Sequence, residues 1–158
     1  MNLQIKKTEK SDIPHILAMI REFAEQTNLV EYCKITEESL QNVMFGENSF
    51  VQSLIVFADE TPIAYAIFFP HFSSFKGQTG IYLEDIYIKP EFRSFRIGEK
   101  TIREIAKIGK AQKASRIDFQ VLNSNEKGIK FYKKLGAICN EEETHFKFDD
   151  DAFQNLAS

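Results

Sequence analysis

The sequence has few of the residues that build disulfide frameworks or metal sites. It holds two cysteines, Cys33 and Cys139, and three histidines, His15, His71 and His145, all far apart along the chain. Disulfide scaffolds and metal sites usually bring such residues together at short, regular spacings. We therefore expect no disulfide and no metal cofactor, and we expect both cysteines to be structural or incidental.

Long apolar runs and an excess of one charge are also missing. The longest apolar run, residues 63–69, is far shorter than the roughly 20 residues of a membrane-spanning helix. The first residues, MNLQIKK, lack the apolar core of a signal peptide. The 20 basic and 23 acidic residues are mixed along the chain and give a net charge of −3. We expect a cytoplasmic protein that binds neither a membrane nor nucleic acid.

The apolar content is sufficient for one core, because 43% of the 158 residues are hydrophobic and 15 of them are Phe. We expect a single domain over residues 1–158. Apolar periodicity gives the element order βααβββαβαβ, an α/β fold with a mixed sheet. The predicted strands include 117–122 and a last strand at 143–148. Ser11 and Thr36 are the predicted N-caps of the first two helices.

The strand at residues 81–88 changes its facing halfway. Its apolar residues stand at odd positions 81 and 83 and then at even positions 86 and 88. Side chains alternate sides along a strand, so one extra residue must lie between the two sets. Glu84 and Asp85 occupy this place, which predicts a β-bulge that frees backbone groups for other partners.

A basic loop, KPEFRSFRIG at residues 89–98, leads from this strand into a helix. A helix N-terminus attracts anions, and Arg93, Arg96 and Lys100 add positive charge beside it. The pattern is typical of a phosphate site. The alternative is an ordinary strand, loop and surface helix with solvated charges.

Two segments, FSSFKGQTGIYLEDIYIKPEFR at 72–93 and NEKGIKFYKKLGA at 125–137, resemble the GCN5-related N-acetyltransferase (GNAT) superfamily, within it the spermidine/spermine (diamine) acetyltransferase branch. The resemblance covers the whole domain. It implies a mixed sheet of about six to seven strands, flanked by about four helices, with a bulged fourth strand. It also implies direct transfer from acetyl-CoA to the primary amine of a polyamine, diamine or lysine-like amino acid, by a homodimer.

The resemblance also implies which residues bind the acetyl-CoA cosubstrate. Backbone groups of the bulged strand hold the pantetheine arm, the loop and first helical turn hold the pyrophosphate, and a later helix contacts the CoA arm and sulfur. In that order the residues are Ile86, Tyr87 and Ile88; Arg93, Ser94, Phe95, Arg96, Ile97, Gly98 and Glu99; and Asn125, Gly128 and Tyr132.

Arg96 departs from the loop pattern of the family, Gln/Arg-x-x-Gly-x-Gly/Ala, at the central glycine. A non-glycine residue with positive φ costs about 1 to 3 kcal/mol. The guanidinium of Arg96 would, on the other hand, suit a phosphate of the cofactor. The sequence leaves both effects open.

Amine acetylation needs a neutral amine, a stabilised oxyanion and a proton for the departing thiolate. We expect Tyr132 to supply that proton, Glu84 to accept one from the amine, and the backbone N–H of Ile86 to hold the oxyanion. Asp85 supports the bulge or binds a second amine, and Phe72 lines the acceptor pocket. The alternatives are a half-buried helix tyrosine, an ordinary polar strand edge and a core phenylalanine.

Two other functions remain open. The Arg96 loop suits a CoA-binding module with weak or lost catalysis, and a wide acceptor cleft would suit an enzyme that acetylates a protein lysine or N-terminus. His145, where the branch tends to carry tryptophan, and the pair Gln26 and Thr27, in place of an aromatic and an acid, depart from the polyamine pattern.

Overall fold

Alternating apolar residues form one five-stranded sheet in the computed structural model, which describes residues 1–158. The strands lie side by side in chain order, and the first four are antiparallel to their neighbours. The last is parallel to the fourth, as the predicted crossover requires. The strands are β1 (Leu3–Lys7), β2 (Gln52–Ala58), β3 (Thr61–Ser73), β4 (Gln78–Ile88) and β5 (Ile117–Asp118).

Five α-helices accompany the sheet, and none is long and apolar enough to cross a membrane. The helices are α1 (Ile13–Gln26), α2 (Glu37–Phe45), α3 (Ile97–Ala111), α4 (Glu126–Lys134) and α5 (Asp150–Ala157). The chain divides into two compact units, Met1–Gln120 and Val121–Ser158. The first holds the sheet with α1, α2 and α3, and the second holds α4 and α5. The expectation of a single domain stays a prediction.

Apolar side chains cover both faces of the sheet in the first unit. On one face, α1 and α2 pack over a cluster that contains Ile55, Tyr65 and Ile67. On the other face, Ile105 of α3 packs against a cluster that includes Ile81. Complete burial of such side chains stabilises the fold by about 1.5 to 3 kcal/mol each. The sheet is therefore held between layers of helix, which is the predicted α/β architecture.

Side-chain caps define where the first two helices begin. Thr36 accepts a hydrogen bond from the backbone N–H of Ser39 at 3.1 Å, as predicted for α2. The prediction of Ser11 as the first N-cap is wrong, because a 3-10 turn at Lys10–Asp12 precedes α1 and Asp12 is its N-cap. The Asp12 carboxylate instead accepts the Glu9 N–H at 2.8 Å.

The sheet is smaller than the expected six to seven strands, and there are five α-helices rather than about four. β5 contains two residues, where the prediction gave 117–122. Residues 143–148 form no strand, and Phe146 and Phe148 there are 83% and 68% exposed. Alternating apolar residues give a segment the period of a strand. A strand must also pair with a neighbouring strand, and no local sequence pattern specifies that neighbour.

Candidate active site

The predicted bulge is present in β4. Ile67 of β3 pairs with Asp85 and the next residue, Phe68, pairs with Leu83, so Glu84 has no partner on β3. This extra residue returns the apolar residues on both sides of it to the same face of the sheet. The parity change in the sequence therefore has the predicted cause.

The two acidic residues at the bulge have different environments. Glu84 is exposed, whereas Asp85 is half-buried. Burial, followed by the nearby charge of Glu84, raises the pKa of Asp85 to about 6. The buried Tyr65 hydroxyl has no hydrogen-bond partner, and its pKa is raised by burial and by the charge of Asp85. Only Glu84 is thus an accessible carboxylate that suits proton exchange with an incoming amine.

The edge of β4 beyond the bulge is open on one side. β5 pairs with β4 only at Ile81 and Tyr82, so residues 83–88 have a strand partner only in β3. An open strand edge offers backbone hydrogen-bonding groups to an extended ligand. Ile86, Tyr87 and Ile88, the residues expected to hold a pantetheine arm, lie along this edge.

Arg96 has the left-handed backbone conformation, with φ of 58° and ψ of 24°, immediately before α3. This is a region that glycine enters without cost, so the loop keeps the shape that a glycine there would allow. The Arg96 guanidinium contacts the carboxylate of Glu99 at 3.0 Å. Arg103 contacts the same carboxylate at 2.9 Å. Contacts with Arg103 and then Arg96 lower the pKa of Glu99, which stays ionised.

The first turn of α3 supplies backbone donors. Lys100 N–H donates to the Arg96 carbonyl at 3.1 Å and is the first donor within the helix, so the N–H groups of residues 97–99 have no acceptor in α3. Ile97 is buried, so it offers only its backbone, while Ser94 and Phe95 are exposed on the preceding 3-10 turn. Donors at the start of a helix of this length attract a phosphate group.

The Arg93 side chain connects the loop before α3 to the end of β4 and to α1. Its Nε donates to the Ile88 carbonyl at 2.9 Å and its Nη2 donates to Gln26 Oε1 at 2.6 Å. Gln26 Nε2 donates to the Tyr87 hydroxyl at 2.6 Å, which donates to Glu22 Oε2 at 3.2 Å. No sequence pattern pointed to Glu22, and Gln26 stood out only as part of the unusual pair at 26–27. The Arg93 side chain is therefore committed to protein partners.

Phe72 lies apart from the acidic pair. It is 65% exposed and pairs with Thr79, five positions along β3 from Ile67. Five residues of strand span about 17 Å. The structure does not bring Phe72 together with Glu84, and its predicted role in the acceptor pocket stays a prediction.

The NxxGxxxY pattern belongs to α4 in the second unit. Asn125 caps the helix by accepting the Gly128 N–H at 3.0 Å. A Cβ on Gly128 would lie 2.6 Å from Asn125 Nδ2, so a larger residue there would displace the capping side chain. Tyr132 lies one turn further, with a pKa raised by burial. Its ring meets Phe131 edge to face at 5.1 Å.

Comparison with known families settles the membership of the chain. The family described as "Acetyltransferase (GNAT) family" matches residues 16–137. The chain belongs to the GNAT family of acetyltransferases. Among curated GNAT relatives, it is 36% identical to thialysine N-epsilon-acetyltransferase of Sus scrofa over 97% of this chain and 96% of that protein. It is 34% identical to the Bos taurus protein of the same name, over 98% and 97%.

Solved structures share the GNAT fold. An integron cassette protein from the mobile metagenome of V. cholerae superposes with a TM-score of 0.84 at 22% identity, over 99% of this chain and 98% of that one. An aminoglycoside acetyltransferase from an uncultured soil sample, in complex with sisomicin, gives 0.80 at 14% identity, over 94% and 97%. At these identities the likeness concerns the fold alone.

Proposed function

We propose that this protein acetylates the side-chain amine of a lysine-like amino acid, a class that includes thialysine, with acetyl-CoA as donor. The observation that carries the proposal is the unpaired, exposed Glu84 at the bulge, beside the open edge of β4. The relative named for thialysine acetylation, at 36% identity over nearly the full chain, supports this substrate class.

The residues present fit acetyl-CoA, which supplies an activated acetyl thioester when bound. The open edge at 86–88 offers backbone hydrogen bonds to an extended arm. The first N–H groups of α3, with the exposed side chain of Lys100 nearby, suit a pyrophosphate. Arg96 contributes chiefly through its backbone conformation, because Glu99 compensates its charge. By family resemblance, Asn125 and Gly128 contact the CoA arm.

Glu84 starts the reaction by accepting a proton from the substrate ammonium, whose usual pKa is about 10.4. The neutral nitrogen then forms a bond to the acetyl carbon, and the bond from that carbon to sulfur breaks. The backbone N–H of Ile86 donates to the carbonyl oxygen as negative charge develops there. The nitrogen loses its second proton to solvent, and by family resemblance Tyr132 donates a proton to the departing sulfur. Tyr132 then recovers a proton from solvent, and Glu84 releases the proton that it accepted.

A polyamine or diamine is the second candidate substrate. The bulge presents two carboxylates without an ion-pair partner in the protein: Glu84 is accessible to a cation, and the half-buried Asp85 lies beside it. The chain is also 26% identical to human spermidine/spermine N(1)-acetyltransferase-like protein 1, of which it covers 24%. A homodimer, which the diamine branch commonly forms, and a cytoplasmic location stay part of the proposal.

The test is thiol release from acetyl-CoA with a panel of acceptors: thialysine, lysine, spermidine and a lysine-containing peptide. We expect the highest kcat/KM with thialysine or lysine. Highest activity with spermidine would favour the second candidate, and activity only with the peptide would favour a protein acetyltransferase. Calorimetric binding of acetyl-CoA without release from any acceptor would contradict the proposal and favour a module without catalysis.

A further inference from the structure

Three polar side chains meet at the end of the sheet face that carries Asp85. His71 lies on β3, and Arg116 and Asp118 lie at β5. Asp118 Oδ2 is 2.6 Å from His71 Nε2 and 2.7 Å from Arg116 Nε. We call these three residues the head-group cluster.

Gly80 of β4 makes the head-group cluster possible. It pairs with His71 across the β3–β4 ladder. A Cβ at this position would lie 2.5 Å from His71 Nε2 and 3.1 Å from Arg116 Cγ. Because Gly80 has no side chain, the His71 side chain can extend across β4 and contact Asp118.

The charged groups of Arg116 and Asp118 in the head-group cluster remain partly available to a ligand. The three contacting atoms are close, but none completes a well-directed hydrogen bond. The side chains of Arg116 and Asp118 are 35% and 42% exposed, so part of each charged group is accessible to a ligand. A ligand that carries both a carboxylate and an ammonium complements this arrangement, whereas a ligand with cations alone would meet the charge of Arg116.

A strip of aromatic side chains joins the head-group cluster to the bulge. Residues 67, 69 and 71 of β3 point to one face, and they pair with Asp85, Tyr82 and Gly80. The ring of Tyr82 stacks on that of Phe69 at 5.3 Å. The pKa of Tyr82 is raised by burial and by the charges of Glu84 and Asp118, so both carboxylates act on its hydroxyl.

We infer that Arg116 and Asp118 bind the α-carboxylate and the α-ammonium of the acceptor amino acid, with His71 positioning Asp118. This inference rests on the proposed function, because it places the side-chain amine at Glu84. On β3, four residues separate Ile67, whose partner Asp85 adjoins Glu84, from His71, which contacts Asp118, and this corresponds to about 13 Å along the strand. An extended lysine spans about 7 to 8 Å from its side-chain nitrogen to its carboxylate carbon. One hydrogen bond of about 3 Å at each end closes the difference.

The test compares three acceptors that share the reacting amine: lysine, cadaverine, which lacks the carboxylate, and 6-aminohexanoate, which lacks the α-ammonium. In the wild type we expect lysine to have a kcat/KM about tenfold above both analogues, a typical loss for one charged contact at a half-exposed site. Arg116→Gln should reduce the lysine-to-cadaverine ratio by about tenfold. Asp118→Asn should do the same for the lysine-to-6-aminohexanoate ratio. Arg21→Gln, at an exposed position of α1, is the matched control and should leave both ratios unchanged.

Failure of this inference is distinct from failure of the proposed function. Equal ratios in wild type and both variants, with acetylation intact, would overturn the head-group assignment alone. If none of the acceptors is acetylated, the proposed function fails, and calorimetry of lysine binding with CoA present still tests the cluster. Tenfold weaker binding by Arg116→Gln than by Arg21→Gln would then support it, and equal binding would overturn it. Thermal melting establishes that each variant is folded, and Arg116→Lys should recover part of the lysine preference.

Discussion

The loop before α3 makes a sharp prediction, because Arg96 occupies a backbone region that glycine prefers. We expect Arg96→Gly to be more stable than Arg96→Ala. Both substitutions remove the contact with Glu99, so the comparison between them isolates the backbone. At φ of 58°, alanine carries a cost of about 1 to 2 kcal/mol that glycine does not.

The flexibility of glycine in the unfolded chain reduces this advantage by about 0.4 to 1 kcal/mol. The net difference is about 1 kcal/mol in favour of glycine. For a chain of this size it corresponds to a melting temperature about 2 to 4 °C higher. At an ordinary helical position the sign is reversed, because glycine is there about 1 kcal/mol less stable than alanine.

Thermal and urea unfolding of the two variants, side by side, measures this difference. Calorimetry would also measure the affinity of each variant for acetyl-CoA. We expect Arg96→Gly to bind acetyl-CoA at least as tightly as the wild type does. If Arg96→Ala melts at the same temperature as Arg96→Gly or above it, the loop does not hold residue 96 in the left-handed region, and the reasoning is refuted.

Three further predictions concern the acidic pair and the proposed acid. Because the pKa of Asp85 is raised to about 6, folding favours its neutral form: wild-type stability should fall by about 2 kcal/mol from pH 4 to pH 6, and urea unfolding of Asp85→Asn should lack this fall. Glu84→Gln should lower kcat/KM about 10- to 100-fold at pH 7 and less at pH 10, where roughly a quarter of the amine is already neutral; a pH-independent loss would contradict a proton acceptor. Tyr132→Phe should lower kcat about 100-fold with little change in acetyl-CoA affinity, and an unchanged kcat would exclude it as the acid.

Local patterns were sufficient to predict much of the fold and the bulge. The parity change at residues 81–88 specified one extra residue, and the structure leaves Glu84 unpaired. Thr36 was predicted as a cap from the residues around it, and the hydrogen bond to Ser39 is present. These features depend on neighbours within a few positions, so a single sequence contains the information.

Features that depend on distant residues could not be predicted in the same way. Residues 143–148 alternate like a strand but have no partner strand. His71, Arg116 and Asp118 come from two separate strands and the residue before one of them, and they meet only because the β4 register places Gly80 between them. The brace from Arg93 to Gln26 joins residues 67 positions apart. Each arrangement requires the register of the sheet, which no single segment reveals.

The position of the acetyl group on the product shows whether the side-chain amine of the substrate reacts at Glu84. Purified protein would be incubated with acetyl-CoA and thialysine, and the product examined by tandem mass spectrometry and NMR to identify the acetylated nitrogen. We expect a single product, acetylated on the side-chain nitrogen, and we expect Glu84→Gln to form it more slowly. Acetylation of the α-nitrogen, or no product from a protein that binds acetyl-CoA, would overturn the proposed function.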